Sequence, residues 1–394
     1  MKRHLYEDDH DAFRGVVREF VRREVENNID RWEQQRFIDR HTWLAAGKHG
    51  IIGLSTPEGY NGAGQIHDYR YRNVVLEEFA AVGATSLSLS FSLQDDIAIP
   101  YIAGLGTDEQ KQRWLPFMAS GELIGAIAMT EPATGSDLRG ITTTANKVDK
   151  GWIINGSKTF ITSGIQSDLV IVVARTDSQH RGTSSFSLFV VERDMPGFER
   201  GRKLDKIGLH GQDTAELSFA DVFVPDTNLL GTVGAGFGQL LRHLPLERLN
   251  IAAQALAHTE AIFAQTVRYT TERQAFGQPI ADFQNTRFEL ASMTTELDLT
   301  RAYVDQAILA YNANDLTVVD AAKAKLSATD TQHRVIDRCL QLHGGYGYMT
   351  EYPVARAYQD ARIQRIFGGT NEIMKEIIGR DLVKTTPTHT VRSP

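Results

Sequence analysis

Glu247 is the residue in this chain best placed by type and spacing to do chemistry. It lies in Leu244-Pro245-Leu246-Glu247-Arg248-Leu249-Asn250-Ile251, the opening of a helical run whose periodicity continues to about Thr271. At helical spacing it shares a face with Leu244, Ile251 and Ala255, so the carboxylate is set among apolar neighbours. Burial disfavours a charged carboxylate and raises its pKa, which is what a general base working near neutrality requires. A structural reading stands beside this one: Arg248 or another cation neutralises Glu247, and the pair is only an ion pair.

Several polar, glycine-bearing stretches offer ligand contacts. Met129-Thr130-Glu131-Pro132-Ala133-Thr134-Gly135-Ser136-Asp137 follows a strand-like run, and Asn155-Gly156-Ser157-Lys158-Thr159-Phe160-Ile161-Thr162-Ser163-Gly164 is similar, with Phe160 and Ile161 beside hydroxyls. Such segments can hydrogen-bond the edge of a flat heterocycle while the apolar side chains pack on it. Taken alone, each reads more readily as a plain hairpin turn. In Gln341-Leu342-His343-Gly344-Gly345-Tyr346-Gly347-Tyr348 paired glycines follow a helix and permit close backbone approach. Asp360-Ala361-Arg362, Ile366-Phe367 and Gly368-Gly369-Thr370-Asn371-Glu372 come next, with Thr370 or Asn371 the N-cap of a last helix whose N-terminus suits an anion. Arg273 can hold a diphosphate in bidentate fashion. Gly231 to Gly238 is glycine-rich but runs into a long helix without a βαβ context, so it reads as a hinge rather than a dinucleotide fingerprint.

The elements that must position these residues fall into blocks. Residues 1–121 are helical in pattern, with stripes such as Phe13, Val16, Val17, Phe20 and Val21, and a further helix expected from Leu87 to Gly104. Residues 122–232 change to strand-like runs, at Ile124 to Met129, Gly151 to Asn155, Leu169 to Ala174, Phe186 to Glu192 and Glu216 to Val224, which predict a small antiparallel sheet or barrel. Residues 233–383 return to long helices that describe an antiparallel bundle, and 384–394 form a polar tail expected to be frayed. The fold class is therefore mainly α with a middle β-domain.

Composition excludes other classes. The chain of 394 residues carries a formal charge of −7, which leaves no footprint for nucleic acid or an anionic membrane. Its one cysteine, Cys339, excludes an internal disulfide framework and suits a reducing compartment, and it sits in an apolar run as an inert core residue. The N-terminus turns acidic at once, no apolar run approaches the length of a membrane span, and no metal site is expected. A cytoplasmic location is the expectation.

Together, MTEPATGSD, NGSKTFITSG, ERQAFGQPI, QLHGGYGYMTEYPVAR and FGGTNEIMKEIIGRDL make the chain resemble the acyl-CoA dehydrogenases over about residues 7 to 383. The resemblance implies an N-terminal helical domain, a small β-barrel or sandwich and a C-terminal bundle. It also implies non-covalent FAD, an acyl-CoA substrate, a homotetramer, and an electron-transfer flavoprotein as electron acceptor. Carried over residue by residue, flavin contacts fall on Ile127, Ala128, Met129, Thr130, Gly135 and Ser136, and on Phe160, Ile161 and Thr162. Arg273, Phe276 and Gln284 match the motif that reaches FAD from a neighbouring subunit. Gln341, Leu342, His343, Gly344 and Gly345, with Thr370, Asn371 and Glu372, match the remaining cofactor contacts. Ser136, Gly238, Arg248, Gly368 and Gly369 fall at the substrate end.

One departure bears on mechanism. Many members of the family carry the catalytic glutamate just before the Gly-Thr of the last helix, where this chain has Gly368. The long-chain and isovaleryl branches place it in a Glu-Arg-Leu context on the first bundle helix, which Glu247-Arg248-Leu249 matches, and the long-chain branch is the nearer resemblance. It differs at Gly238, where that branch has a bulky aromatic. The resemblance thus implies that Glu247 abstracts the α-proton of a fatty acyl-CoA, that the Gly368 N–H helps polarise the thioester carbonyl, and that flavin N5 accepts the β-hydride, giving a trans-2-enoyl-CoA. The alternatives are an acyl-CoA oxidase, expected to carry a large extra C-terminal domain, and a catalytically inactive acyl-CoA-binding subunit.

Overall fold

The computed structural model describes residues 3–177 and 182–385. From residue 386 on, the tail expected to be frayed lies outside the described residues.

The chain begins with α1 (Asp8–Phe20), α2 (Ile29–Gln35), α3 (Arg40–Lys48), α4 (Tyr69–Ala81), α5 (Thr85–Ser92), α6 (Ile99–Leu105) and α7 (Asp108–Ala119). The helix expected from Leu87 to Gly104 is not continuous: a widened π-turn, Leu93–Ala98, separates α5 from α6. Consecutive buried acids explain the break, because each serves a different partner. Asp95 accepts the backbone N–H of Gly53 at 3.0 Å, whereas Asp96 accepts from Arg72 at 2.9 Å and from Asn250 at 2.6 Å. The wider turn takes about one residue more than a regular one, and both acids sit within it, each buried against its own partners.

The middle of the chain forms an eight-stranded sheet in the order β6-β7-β3-β2-β4-β5-β8, with β1 joined to β4. The strands are β1 (Gly125–Ala128), β2 (Thr144–Val148), β3 (Gly151–Thr162), β4 (Leu169–Arg175), β5 (Phe186–Glu192), β6 (Phe198–Lys203), β7 (Thr214–Pro225) and β8 (Leu229–Leu230). The pairing is not purely antiparallel as expected, since β1 runs parallel to β4. Strand β3 is longer than expected. The segment that reads as a strand end or turn, Asn155 to Thr162, stays paired with β7 through two register shifts. Strands β2 and β6 escape the apolar pattern because they are mostly polar, and β6 is an edge strand whose charges discourage further pairing.

After the glycine-rich segment come α8 (Gly236–Glu272), a short hairpin of β9 (Gln274–Ala275) and β10 (Gln278–Pro279), then α9 (Gln284–Asn312), α10 (Val318–His343), α11 (Pro353–Ala361) and α12 (Asn371–Thr385). The strand before the glycines, β8, pairs antiparallel with β5, so there is no βαβ unit and the dinucleotide-fingerprint reading fails. Leu246, Leu249, Ala252 and Leu256 of α8 pack with Met293, Val304, Ala328, Val335 and Cys339 in one core, which also takes in Tyr69 and Leu76 of α4. Burial pushes the Cys339 thiol up to about 11, and it is an inert core residue. No helix among the described residues is long and apolar enough to cross a membrane.

Candidate active site

Glu247 lies on the buried face of the 37-residue α8 and is 5% exposed. Its hydrogen bond comes from the Tyr101 hydroxyl on α6, 3.1 Å from Oε1. Among the described residues no salt bridge reaches it, so Arg248 influences it through its field rather than as a bonded partner. Burial pushes the carboxyl up, the Tyr101 hydrogen bond and the Arg248 charge oppose that, and the balance is about 7. A carboxylate so placed is half ionised at neutral pH and can exchange a proton without first breaking an ion pair. One turn earlier on the helix, the His243 ring stacks on Tyr101, with centroids 4.1 Å apart and planes at 24°.

One turn later, Ile251 ties this face to the 368–371 loop. Gly368 has φ +64°, and a Cβ built there would lie 2.4 Å from Ile251 Cδ1. The position at which other family members were expected to carry a base is thus beside the Glu247 face, and an isoleucine methyl fills the room a side chain needs. Lys325 of α10, 0% exposed, holds the same loop: its amine donates to the Gly369 carbonyl at 2.5 Å and to Asn371 Oδ1 at 3.3 Å. Burial, helped by the charge of Arg248, pushes that amine down to about 8. The Asn371 amide also donates to Thr329 at 3.0 Å and Asp330 at 2.9 Å, so its buried side chain is engaged inside the chain. Thr370, not Asn371, caps α12, accepting the Ile373 N–H at 3.3 Å.

The β1 edge approaches the same region from the sheet. Gly125 N–H donates to Gln94 Oε1 of the π-turn at 2.8 Å, and a Cβ on Gly125 would meet Ala98 Cβ at 2.7 Å. Ile127 and Met129 then share a hydrophobic cluster with Tyr101. Beyond β1 the chain is shaped by a buried carboxylate. Glu131 accepts from the backbone and hydroxyl of Thr142 and Thr143 at 2.6–2.8 Å and from Lys158 at 3.0 Å. Burial pushes Glu131 up, but Lys158 and these donors outweigh it and hold the carboxyl at about 2. Lys158 also donates to the Met129 carbonyl at 3.0 Å, and Thr159 N–H to the Thr130 carbonyl at 3.0 Å. This lacing sets Met129 and Thr130 beside Phe160, whose φ is +59° and whose ring is 67% exposed. Ile161 is buried and Thr162 half-buried, while Gly135 and Ser136 lie on the exposed loop. A bare aromatic face next to backbone polar groups fits a flat heterocycle.

A third group of residues lines a cavity of about 430 Å³ that brings Arg273 together with Gln341, Leu342, His343, Gly344 and Gly345. A Cβ at Gly344 or Gly345 would meet nothing within 4 Å, so the floor is open backbone, and the Arg273 guanidinium lies over the Tyr346 ring at 5.4 Å. Open backbone beside a guanidinium fits a phosphate-bearing group. The His343 ring stacks on Tyr269 at 4.2 Å, and its Nδ1 donates to the Cys339 carbonyl at 2.8 Å, so the imidazole is packing. Among the described residues no hydrogen bond or ring contact joins Arg273, Phe276 or Gln284 to Phe160–Thr162. Phe276, at the turn of the β9–β10 hairpin, is 95% exposed, and Gln284 is exposed as well. Gly238 is exposed with open space around it, whereas Arg248 is buried with an unpartnered Nε.

Sequence reasoning missed Tyr101, His243, Lys325 and the Glu131–Lys158 pair. Glu131 and Lys158 sit inside the motifs that were noticed, and the charges within otherwise hydroxyl-rich stretches were the available signal. For Tyr101 there was none, since 146 residues separate it from Glu247.

Comparison with known proteins places the whole chain. Models of the acyl-CoA dehydrogenase N-terminal, middle and C-terminal domains match residues 7–122, 126–222 and 234–383. The mitochondrial long-chain specific acyl-CoA dehydrogenase of Sus scrofa is 46% identical over 382 residues, spanning 97% of this chain and 88% of that protein. The crystal structure of an acyl-CoA dehydrogenase from Geobacillus kaustophilus superposes with a TM-score of 0.94 at 45% identity, covering 97% of this chain and 100% of that one. A glutaryl-CoA dehydrogenase from Mycobacterium smegmatis, in complex with FADH2, superposes with a TM-score of 0.89 at 27% identity, over 98% and 97% of the two chains.

Proposed function

The chain belongs to the acyl-CoA dehydrogenase family, and from that premise we propose that Glu247 is the base that removes the α-proton of a fatty acyl-CoA. The protein is an oxidoreductase and an FAD flavoprotein that dehydrogenates acyl-CoA in fatty acid β-oxidation. The finer reading is a long-chain preference, with a trans-2-enoyl-CoA as product and an electron-transfer flavoprotein as electron acceptor.

The observation that carries the base assignment is a buried carboxylate at about 7, free of any ion pair among the described residues, one helical turn from the Ile251 side chain that packs on Gly368. Oε1 is held by Tyr101, and no hydrogen bond among the described residues engages Oε2, which is the oxygen available to take the proton. Loss of that proton builds negative charge on the thioester oxygen. The Gly368 N–H, on a loop fixed by Lys325, is the donor we assign to it. Bound FAD supplies the acceptor for the hydride that leaves the β-carbon. Ile127 to Thr130 and Phe160 to Thr162 would hold its ring system, and the cavity of Arg273 and Gln341 to Gly345 would hold phosphate. The exposure of Phe276, 95% bare in the single chain, and of Gln284 beside it supports a shared site, in which Arg273, Phe276 and Gln284 serve the flavin of a neighbouring copy in a homotetramer.

The test is anaerobic flavin bleaching by butyryl-, octanoyl- and palmitoyl-CoA in wild type and Glu247→Gln. The wild type should bleach, and the variant should be slower by about a thousandfold with flavin content unchanged. A variant as fast as wild type removes Glu247 from the mechanism. Peroxide formed stoichiometrically in air would replace the dehydrogenase with an oxidase.

A further inference from the structure

We propose that Tyr101 is a positioning residue for the base: its hydroxyl fixes Glu247 Oε1, and its ring is itself fixed by His243. The proposal rests on Glu247 being the base.

The geometry is closed from several directions. The Tyr101 hydroxyl donates to Oε1 at 3.1 Å, and both side chains are buried. His243, one turn ahead of Glu247 on the same helix, lies against the tyrosine ring at 4.1 Å and 24°, so α8 grips Tyr101 at its face and at its hydroxyl. Gly104, one turn beyond Tyr101 on α6, also lies against the imidazole, where a Cβ would sit in van der Waals contact at 3.4 Å from His243 Cε1. The backbone carrying Tyr101 is anchored to α8 as well. Asn250, three residues after Glu247, donates to Asp96 at 2.6 Å and to Ser92 at 3.1 Å, and Asp96 also takes Arg72 at 2.9 Å. The base and the tyrosine are therefore held in mutual register by two separate links to α8, one from α6 and one from the α5 end and π-turn that precede it.

A donor on one oxygen does more than hold the carboxylate still. It favours the ionised form and offsets part of the burial that pushes Glu247 upward. The groups that face Glu247 make this the tunable contact. Arg248, on its own helix, acts at a distance without a bond. Burial pushes His243 down to about 4, so it is neutral throughout the working range. Arg72 and Asp96, from α4 and the π-turn, are paired with each other, and Lys325 from α10 is engaged with Gly369 and Asn371. Tyr101 itself stays protonated, because burial and then the Glu247 charge push its hydroxyl well above its usual value.

Tyr101→Phe tests this, since it keeps the stacked ring and deletes only the hydroxyl. The acid limb of kcat/KM for the fastest acyl-CoA among butyryl-, octanoyl- and palmitoyl-CoA should move up by about one pH unit, with a roughly fivefold loss at about pH 7 that is recovered by about pH 9. A structural role alone would instead lower the rate evenly at every pH. An unmoved limb, with Glu247→Gln inert, overturns the role of Tyr101 and leaves the base in place. An active Glu247→Gln overturns both. Should Tyr101→Phe lose flavin, His243→Leu removes the stacking partner and leaves the hydroxyl. It is expected to move the same limb up by a smaller amount, and no movement there overturns the proposal.

Discussion

Gly368→Ala should be damaging for a reason that a second substitution can remove. The new Cβ would lie 2.4 Å from Ile251 Cδ1 on a residue held at φ +64°. The left-handed backbone costs a non-glycine residue about 1 kcal/mol, and overpacking against Ile251 adds about 1–3 kcal/mol, so the single substitution should cost about 2–4 kcal/mol. The next Ile251 atom in reach is Cγ1 at 3.9 Å, so Ile251→Val deletes the one clashing atom, at its own cost of about 1 kcal/mol. In the Ile251→Val background Gly368→Ala should then cost only the backbone term. The coupling of about 1 kcal/mol or more exceeds the few tenths expected of independent sites. Differential scanning of the four holoenzymes reads this, at about 1 °C for each kcal/mol in a chain of 394 residues. An equal fall in midpoint for Gly368→Ala in both backgrounds would refute the steric account, and with it the claim that Ile251 reserves this space against a side chain at 368.

Two further outcomes follow from other parts of the site. Glu131 is held at about 2, well below its unfolded value of about 4.3, so its stabilisation is complete above about pH 5 and fades as pH falls towards 2. Flavin release on mild acidification should track that window, and Glu131→Gln should flatten it; an unchanged acid profile in that variant would show that other groups set the acid lability. Phe276→Asp, at a side chain 95% exposed in the single chain, should leave the chain's own fold within about 0.5 kcal/mol while lowering both assembly mass by light scattering and flavin retention. A full-sized, fully flavinated variant would argue against the shared site.

What could be read from the chain alone follows a physical divide. Glu247 was legible because its apolar neighbours recur at helical spacing, and its neighbourhood is as apolar as that spacing requires. The three-block order was legible for the same reason, through the change from helical to alternating patterns. Residues 155–162 were not legible as strand, because glycine, serine and threonine there look like a turn while the backbone continues through register shifts between Ile154 and Gly156 and between Lys158 and Ile161, with positive φ at Gly156 and Phe160. Lys325 was hidden by its setting: in Ala-Ala-Lys-Ala-Lys-Leu-Ser a lysine looks like a solvated face, yet this one is fully buried against backbone and amide oxygens. Tyr101 belongs to a third kind, a contact that exists only after two distant helices have docked, and no local pattern records it.

The π-turn at Leu93–Ala98 has a consequence for how this chain tolerates change in length. A turn closed by an i→i+5 bond takes about one residue more than a regular one, so a residue removed from it would restore regular winding and leave the helix beyond nearly in phase. A residue removed from α5 has no such slack: everything after it would rotate by about 100°, Tyr101 would swing off Glu247, and the contact of β1 with Gln94 and Ala98 would lose its phase. The wide turn therefore works as a length buffer between two helical segments, one held by Arg72 and Asn250 and the next facing the carboxylate. The same one-residue deletion is mild inside the turn and all-or-none for the downstream geometry just before it.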